Sequence, residues 1–368
     1  MKILQLVTKR QYRGAEVFAA NLSKELIRNN VEVVFAGLYN APENPLEVSG
    51  AKNVDLNGKK VLFSLQTLKR LKELVKREKP AVVQANGSDT LKYAVALRVY
   101  FPGLPIVYRN ISIVSTWFGN SQLKLMLYKK LFTQVQHVSS VGEEAKNDFV
   151  HTLAYPAKQA SVTRRGIPME QVDKQEAKQA LCAMFNLPLE SHIIMHVGNF
   201  SPEKNHRFLL EVLKMLKRQD PKIKLVMVGE GVLAETIQKE AVQAGLDDTV
   251  YFAGFRSQVQ QMLAAADLFV LSSTVEGVPG VILEAGAQKV PAVAVNVGGV
   301  GEVVVDGETG VLVPEHDVQL FAEKISSLLN DQAERERLGN GAYRLVTSEY
   351  NPDKNAKSFI DLYHSLSK

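Results

Sequence analysis

The chain has 368 residues, 46% of them hydrophobic and 23% charged, with a formal net charge of +5 and a single cysteine, Cys182. That length exceeds what one core usually serves, so two domains are expected, and no intrachain disulfide can form. The apolar start of MKILQLVTKR is too short for a secretory signal core and no window offers the ~20 apolar residues of a membrane span, so a cytoplasmic protein is expected, soluble or resting on the inner face of a membrane.

In chain order, strands are predicted at 2–7, 31–37, 81–86, 105–110, 135–140 and 159–164. Helical patterns fall between them near 15–29, 60–78, 88–100, 121–132 and 142–152. A second series runs 192–198, 224–229, 250–255, 267–273, 291–296 and 310–314, with helices near 205–219, 232–243, 256–265 and 279–288. A last helix near 352–366 follows the Asn351-Pro352 break. Near-continuous apolar strands alternating with helices imply parallel sheets covered on both faces. The expectation is an α/β protein of two Rossmann-like domains, 1–166 and 167–349, facing across a cleft, with the helix of 350–368 packing back on the first. Ligands of such sheets bind at the carboxyl ends of the strands.

Charge divides the halves. Residues 1–165 hold 25 Lys and Arg against 12 Asp and Glu, and residues 166–368 hold 19 against 27. A basic half suits anionic lipid, a phosphorylated acceptor or nucleic acid. No nucleic-acid-binding motif accompanies it, so nucleic acid is not expected as a partner. Within it, 58–79 reads as a basic amphipathic helix with Leu62, Leu65, Leu68, Leu71 and Val75 at helical spacing, and 117–132 mixes aromatics, leucines and lysines. Both are candidates for contact with an anionic membrane surface.

The loops after the strands carry the chemistry. TVEGVPGVILEAG (274–286) places Glu276 after a strand, then Gly277, Val278, Pro279 and Gly280 at a corner, and Glu284 about a turn into a helix. Pro279 suits the first helical turn, the glycines admit a ligand to the backbone, and free N–H groups there attract an anion. Each carboxylate can accept from sugar hydroxyls, Glu284 from a ribose diol. Gly298 and Gly299 open a neighbouring turn. After the strand at 192–198 come Gly198, Asn199 and Lys204. A lysine at a helix start is unfavourable unless a bound diphosphate offsets the dipole. Asn205 and His206 are expected to help cap that helix. Gly14, after the first strand, suits either a ligand or a bare turn, and the full dinucleotide fingerprint is absent. No carboxylate cluster looks like a dedicated metal site, and no cofactor is expected beyond a donor substrate.

With these elements in order the chain resembles the family-4 retaining glycosyltransferases of GT-B fold. The residues that carry the likeness are Arg13-Gly14-Ala15-Glu16, Val197-Gly198-Asn199 with Lys204-Asn205, Phe252-Ala253-Gly254-Phe255, Glu276-Gly277-Val278-Pro279-Gly280 with Glu284-Ala285, and Val297-Gly298-Gly299-Val300-Gly301-Glu302. The resemblance implies a UDP- or GDP-sugar donor in the second domain and a glycan or lipid-linked acceptor in the first, without a metal. Glu276 and the amides after it would hold the sugar, Glu284 the ribose, Lys204 the diphosphate, and Gly254, Phe255 and Arg256 would flank the base. Two positions depart from many relatives. Asn199 stands where an arginine is common, and Tyr108-Arg109-Asn110-Ile111 lacks a histidine, so Arg109 or Asn110 is expected to contact acceptor or donor sugar instead. An epimerase or phosphorylase of the same fold, or a nucleotide-sugar-binding regulatory subunit, would use a similar cradle.

Overall fold

The computed structural model describes every residue except Gln171, Gln258 and Lys368. The chain divides into two compact units, Met1–Gly166 with Asn351–Lys368, and Ile167–Tyr350. Among the described residues the first unit has seven strands: β1 (Lys2–Val7), β2 (Glu32–Tyr39), β3 (Lys52–Gly58), β4 (Val82–Asn86), β5 (Ile106–Asn110), β6 (His137–Ser140) and β7 (Ala160–Val162). They form one parallel sheet in the order β3-β2-β1-β4-β5-β6-β7. The connecting helices are α1 (Gly14–Arg28), α2 (Leu65–Glu78), α3 (Ser88–Leu97), α4 (Gln122–Phe132) and α5 (Glu143–Leu153).

The central strands are apolar almost throughout because helices cover both faces of the sheet. β3 is not anticipated by the sequence pattern. Its residues KNVDLNG are mostly polar, as suits an edge strand with one neighbour. The helix expected from residue 60 begins only at Leu65, because Ser64 caps it by accepting from the Thr67 N–H. Its stripe of Leu68, Leu71, Leu74 and Val75 is buried against the sheet. That part of the expected membrane face is core.

The second unit contains β8 (His192–Val197), β9 (Ile223–Val228), β10 (Val250–Gly254), β11 (Leu268–Leu271), β12 (Ala292–Val295) and β13 (Gly310–Val313). The sheet is parallel, in the order β10-β9-β8-β11-β12-β13. Its helices are α6 (Lys174–Phe185), α7 (His206–Gln219), α8 (Ala234–Gln243), α9 (Gln260–Ala264), α10 (Gly280–Ala287), α11 (Val318–Asn330) and α12 (Gln332–Glu349). α6, α11 and α12 have no counterpart among the sequence expectations. All three start at an aspartate whose carboxylate accepts from the backbone N–H three residues on, Asp173, Asp317 and Asp331, a capping signal present in the sequence. Among the described residues, no helix is long and apolar enough to cross a membrane.

After α12 the chain returns to the first unit as α13 (Pro352–Leu366), where Phe359 meets Phe18 of α1 at 5.9 Å between ring centroids. A closed ring of side chains fixes it there. Gln5 Nε2 donates to the Tyr363 hydroxyl (3.3 Å), which donates to Gln84 Oε1 (2.5 Å). Gln84 Nε2 donates to Asn86 Oδ1 (3.1 Å), and Asn86 Nδ2 returns to Gln5 Oε1 (3.0 Å). All four residues are fully or almost fully buried, so each depends on the others for its hydrogen bonds. Tyr363→Phe should therefore leave the Gln5 donor and the Gln84 acceptor short of a partner and cost about 1–3 kcal/mol. An unchanged urea midpoint for that variant would contradict this.

Candidate active site

In the second sheet the strand order reverses between β8 and β11, and their carboxyl ends open the loops that hold the candidate residues. The two strands are tied across this gap. His196 Nδ1 lies 3.0 Å from the Val270 carbonyl, which only accepts, so Nδ1 carries the proton. The loops beyond are laced together. Ser272 Oγ lies 2.9 Å from the Lys204 carbonyl oxygen and 3.2 Å from that of Asn205, and the Thr274 N–H donates to the Glu203 carbonyl at 2.8 Å. The chain ends this lacing in an ion pair. Lys204 Nζ sits 2.5 Å from Glu276 Oε1, and Ser273 Oγ donates to the same oxygen at 2.6 Å. The lysine side chain is 20% exposed and the glutamate 10%. The two residues assigned from the sequence to diphosphate and sugar are thus within contact of each other.

The loop carrying Glu276 is seated on backbone. Gly298 has φ +52°, and a Cβ there would lie 2.0 Å from the Glu276 carbonyl oxygen; one on Gly299 would lie 2.4 Å from that of Gly277. Only glycine permits this approach. The expected helix start at Gly298 is a short 3-10 turn, Gly298–Glu302, whose use is this contact. Pro279 stands one residue ahead of α10, and Gly280 is the helix's first residue. Within α10 only Val281 and Glu284 are less than fully buried, three residues apart on one stripe. Glu284 therefore sits on the helix's half-buried side. Gly277 and Val278 are half-buried beside it, and Pro279 is buried.

Gly198 and Asn199 directly follow β8, the first half-buried and the second exposed. Gly254 ends β10 with φ +66°, and Phe255 and Arg256 beyond it are exposed. These three share the carboxyl edge with the ion pair but lie after a strand separated from β8 by β9. Asn205 and His206 do not cap α7. Asn205 takes a left-handed conformation with no side-chain cap bond, and the His206 ring stacks on Phe200 at 4.2 Å. In the first unit, Gly14 opens α1, exposed and with nothing within 4 Å of a notional Cβ. The loop before it is pinned by Arg10 on Asp55 (2.7 Å).

Arg109 and Asn110 are corrected. Both are interior residues, 1% and 0% exposed. Arg109 Nη1 donates to the Thr163 carbonyl (2.6 Å), to Ser139 Oγ (2.8 Å) and to the Ser140 carbonyl (3.1 Å), and its guanidinium lies 4.2 Å from the Phe18 ring centre. Burial pushes its pKa down to about 9. Asn110 Nδ2 donates to the Ala145 carbonyl (3.1 Å). Both were expected at a ligand because the resemblance sets a histidine at this point, but they are the last two residues of β5 and still belong to its buried run. In the other direction, sequence reasoning passed over His196, Ser272, Ser273 and Thr274. The hydroxyl run after β11 was the available signal.

The model of glycosyl transferases group 1 matches residues 179–345, and that of glycosyltransferase family 4 matches residues 12–171. The chain belongs to the family-4 glycosyltransferases. A lipopolysaccharide core biosynthesis glycosyltransferase of Rhizobium meliloti is 29% identical over 183 residues, 50% of this chain and 53% of that protein. The N-acetyl-alpha-D-glucosaminyl L-malate synthase of Bacillus anthracis is 27% identical over 230 residues, 62% of this chain and 59% of its own. The matches thus span little more than half of these relatives. Among solved structures, Anabaena HepE in complex with UDP and glucose has a TM-score of 0.87 at 20% identity, covering 99% of this chain and 100% of that one. The two parallel-sheet units are those of the GT-B fold.

In the second unit a pair of histidines underlies the ion pair. The His196 and His206 rings meet edge to face at 4.9 Å, both fully buried. Burial, the nearby charge of Lys204 and, for His196, the other ring push them down to about 3 and about 4. The unfolded chain takes up protons below about pH 6.5 that the folded chain refuses, so stability is lost as pH falls from there towards 4. Between pH 7.5 and pH 5 each histidine should remove about 2 kcal/mol. Urea unfolding at the two pH values checks this, and the loss should shrink by about half in His206→Gln.

Proposed function

We propose that this chain transfers a hexosyl or N-acetylhexosaminyl group, with retention of anomeric configuration, from a UDP- or GDP-sugar to a glycan or lipid-linked acceptor in surface polysaccharide or glycoconjugate synthesis, at the cytoplasmic face of a membrane. The observation that carries the reading is the meeting of Lys204 and Glu276 where the second sheet reverses, ahead of the start of α10. A strand-order reversal is where such sheets take nucleotides. UDP and UDP-glucose in the structures of Anabaena HepE favour UDP over GDP.

The chemistry follows from charge. As the bond from the anomeric carbon to the diphosphate breaks, negative charge grows on the phosphate oxygens. Lys204 and the N–H groups at the start of α10 are placed to stabilise it, which in water-poor surroundings is worth far more than in solution. To do so, Lys204 exchanges Glu276 for phosphate. The freed Glu276 carboxylate then accepts from a sugar hydroxyl while the ring passes through an oxocarbenium-like state. The acceptor hydroxyl attacks from the face the diphosphate leaves, and its proton goes to a phosphate oxygen, so the nucleoside diphosphate departs carrying it. Glu284 accepts from the ribose throughout.

The exchange makes the two glutamates behave differently. Glu276→Gln removes the anion that competes for Lys204, so free UDP should bind about 3- to 10-fold tighter, roughly 0.6–1.4 kcal/mol, while turnover falls about 100-fold. Glu284→Ala should weaken UDP itself. Titration calorimetry with UDP and a nucleotide-release assay with acceptor check both, and the reverse pattern would undo the assignment. Because Lys204 supplies the charge that a metal would otherwise bring, transfer should persist at full rate in excess EDTA; loss of activity restored by a divalent cation would contradict this.

A further inference from the structure

Residues of the first unit leave an apolar and basic edge uncovered. Ahead of α2, Val61, Leu62 and Leu65 are 49%, 89% and 77% exposed. On α4, Leu123, Met126 and Leu127 are 80%, 66% and 56% exposed. Positions 123, 126, 127 and 130 fall on one side of a helix. The opposite side, Leu125, Tyr128 and Phe132, packs into the core. α4 is therefore apolar on two sides, and a helix of that kind is ordinarily covered on both. Both segments follow carboxyl ends of strands, β3 and β5, and both belong to the helical layer over the same face of the sheet, since Leu68 of α2 and Phe132 of α4 share one core cluster.

The charges say what covers them. From Gly58 to Lys72 there is no acidic residue, and from Trp117 to Phe132 there is none either. Lys59, Lys60 and Lys69 are exposed and flank the first apolar group, and the exposed Lys130 extends the second. Leucines and a methionine interleaved with lysines, with no acid among them, match an anionic lipid surface. Apolar side chains enter the acyl boundary and ammonium groups meet the headgroups. A second protein copy would place these lysines against its own.

We propose that the segment Val61–Leu65 and the outer side of α4 together form a docking surface for an anionic lipid bilayer. The inference rests on the proposed location at a membrane face, but the surface lies outside the donor-binding residues, so loss of vesicle binding would leave the transfer reaction standing and loss of transfer would leave the surface standing. It also moves the first expected contact from the buried stripe of α2 to the residues just before it, and narrows the second, 117–132, to the outer side of α4.

The test uses the full chain and vesicles of phosphatidylcholine, with and without 30% phosphatidylglycerol as an arbitrary probe composition, in a sedimentation assay. Binding to the anionic vesicles is expected to weaken about 10-fold or more between low and high salt, and to be marginal on phosphatidylcholine alone. The variant Leu62→Ser, Leu65→Ser, Leu123→Ser, Met126→Ser should lose binding about 10-fold at low salt. Its UDP affinity and urea midpoint should stay unchanged, because these side chains touch solvent. Equal vesicle binding by variant and parent would overturn the proposal, as would no binding by the parent. Self-association of the parent that the variant abolishes, without vesicle binding, would also overturn it and assign the surface to a second copy.

Discussion

A lysine and a glutamate from two different loops meet where a parallel sheet changes direction, and most of the second unit is arranged to hold them there. Lys204 and Glu276 are partly shielded, at 20% and 10% exposure, so their attraction is stronger than that of a surface pair, and so is the cost of stranding either one. Neither can leave the other without a replacement. In the proposed reaction a nucleotide sugar would bring both replacements, phosphate for the lysine and hydroxyls for the carboxylate. In the proposed reaction the two charges neutralise each other before the donor arrives and change partners when it binds.

The backbone around the pair is fixed from several sides. Gly298 and Gly299 let one loop lie directly on the carbonyls of Glu276 and Gly277, His196 ties β8 to β11, and Ser272 and Thr274 hold the Lys204 loop against the loop after β11. They restrict where the two charged side chains can go, which limits the reorganisation needed during reaction. The buried histidines belong to the same scaffold, kept neutral by burial and by the charge of the lysine beside them.

The sheets and most helices were legible because parallel strands covered on both faces read as unbroken apolar runs, and glycine or proline marks their ends. β3 escaped because an edge strand lacks that run, and the starts of α6, α11 and α12 are marked by aspartate caps instead of glycine or proline. In the site, Lys204, Glu276 and Glu284 were legible from charge beside glycine corners at strand ends. Their mutual pairing was not, since Lys204 and Glu276 are far apart in sequence and meet only through sheet order. Arg109 and Asn110 were expected at the ligand from the resemblance, as the residues standing where a histidine is common; here carbonyls of β6 and the segments following β6 and β7 enclose them.

The partner exchange is most directly measured in a crystal of the full chain with UDP. The Lys204 ammonium should lie within hydrogen-bonding distance of a β-phosphate oxygen and more than about 4 Å from Glu276, beyond ion-pair range. UDP seated at α10 with the Lys204–Glu276 pair intact would contradict it.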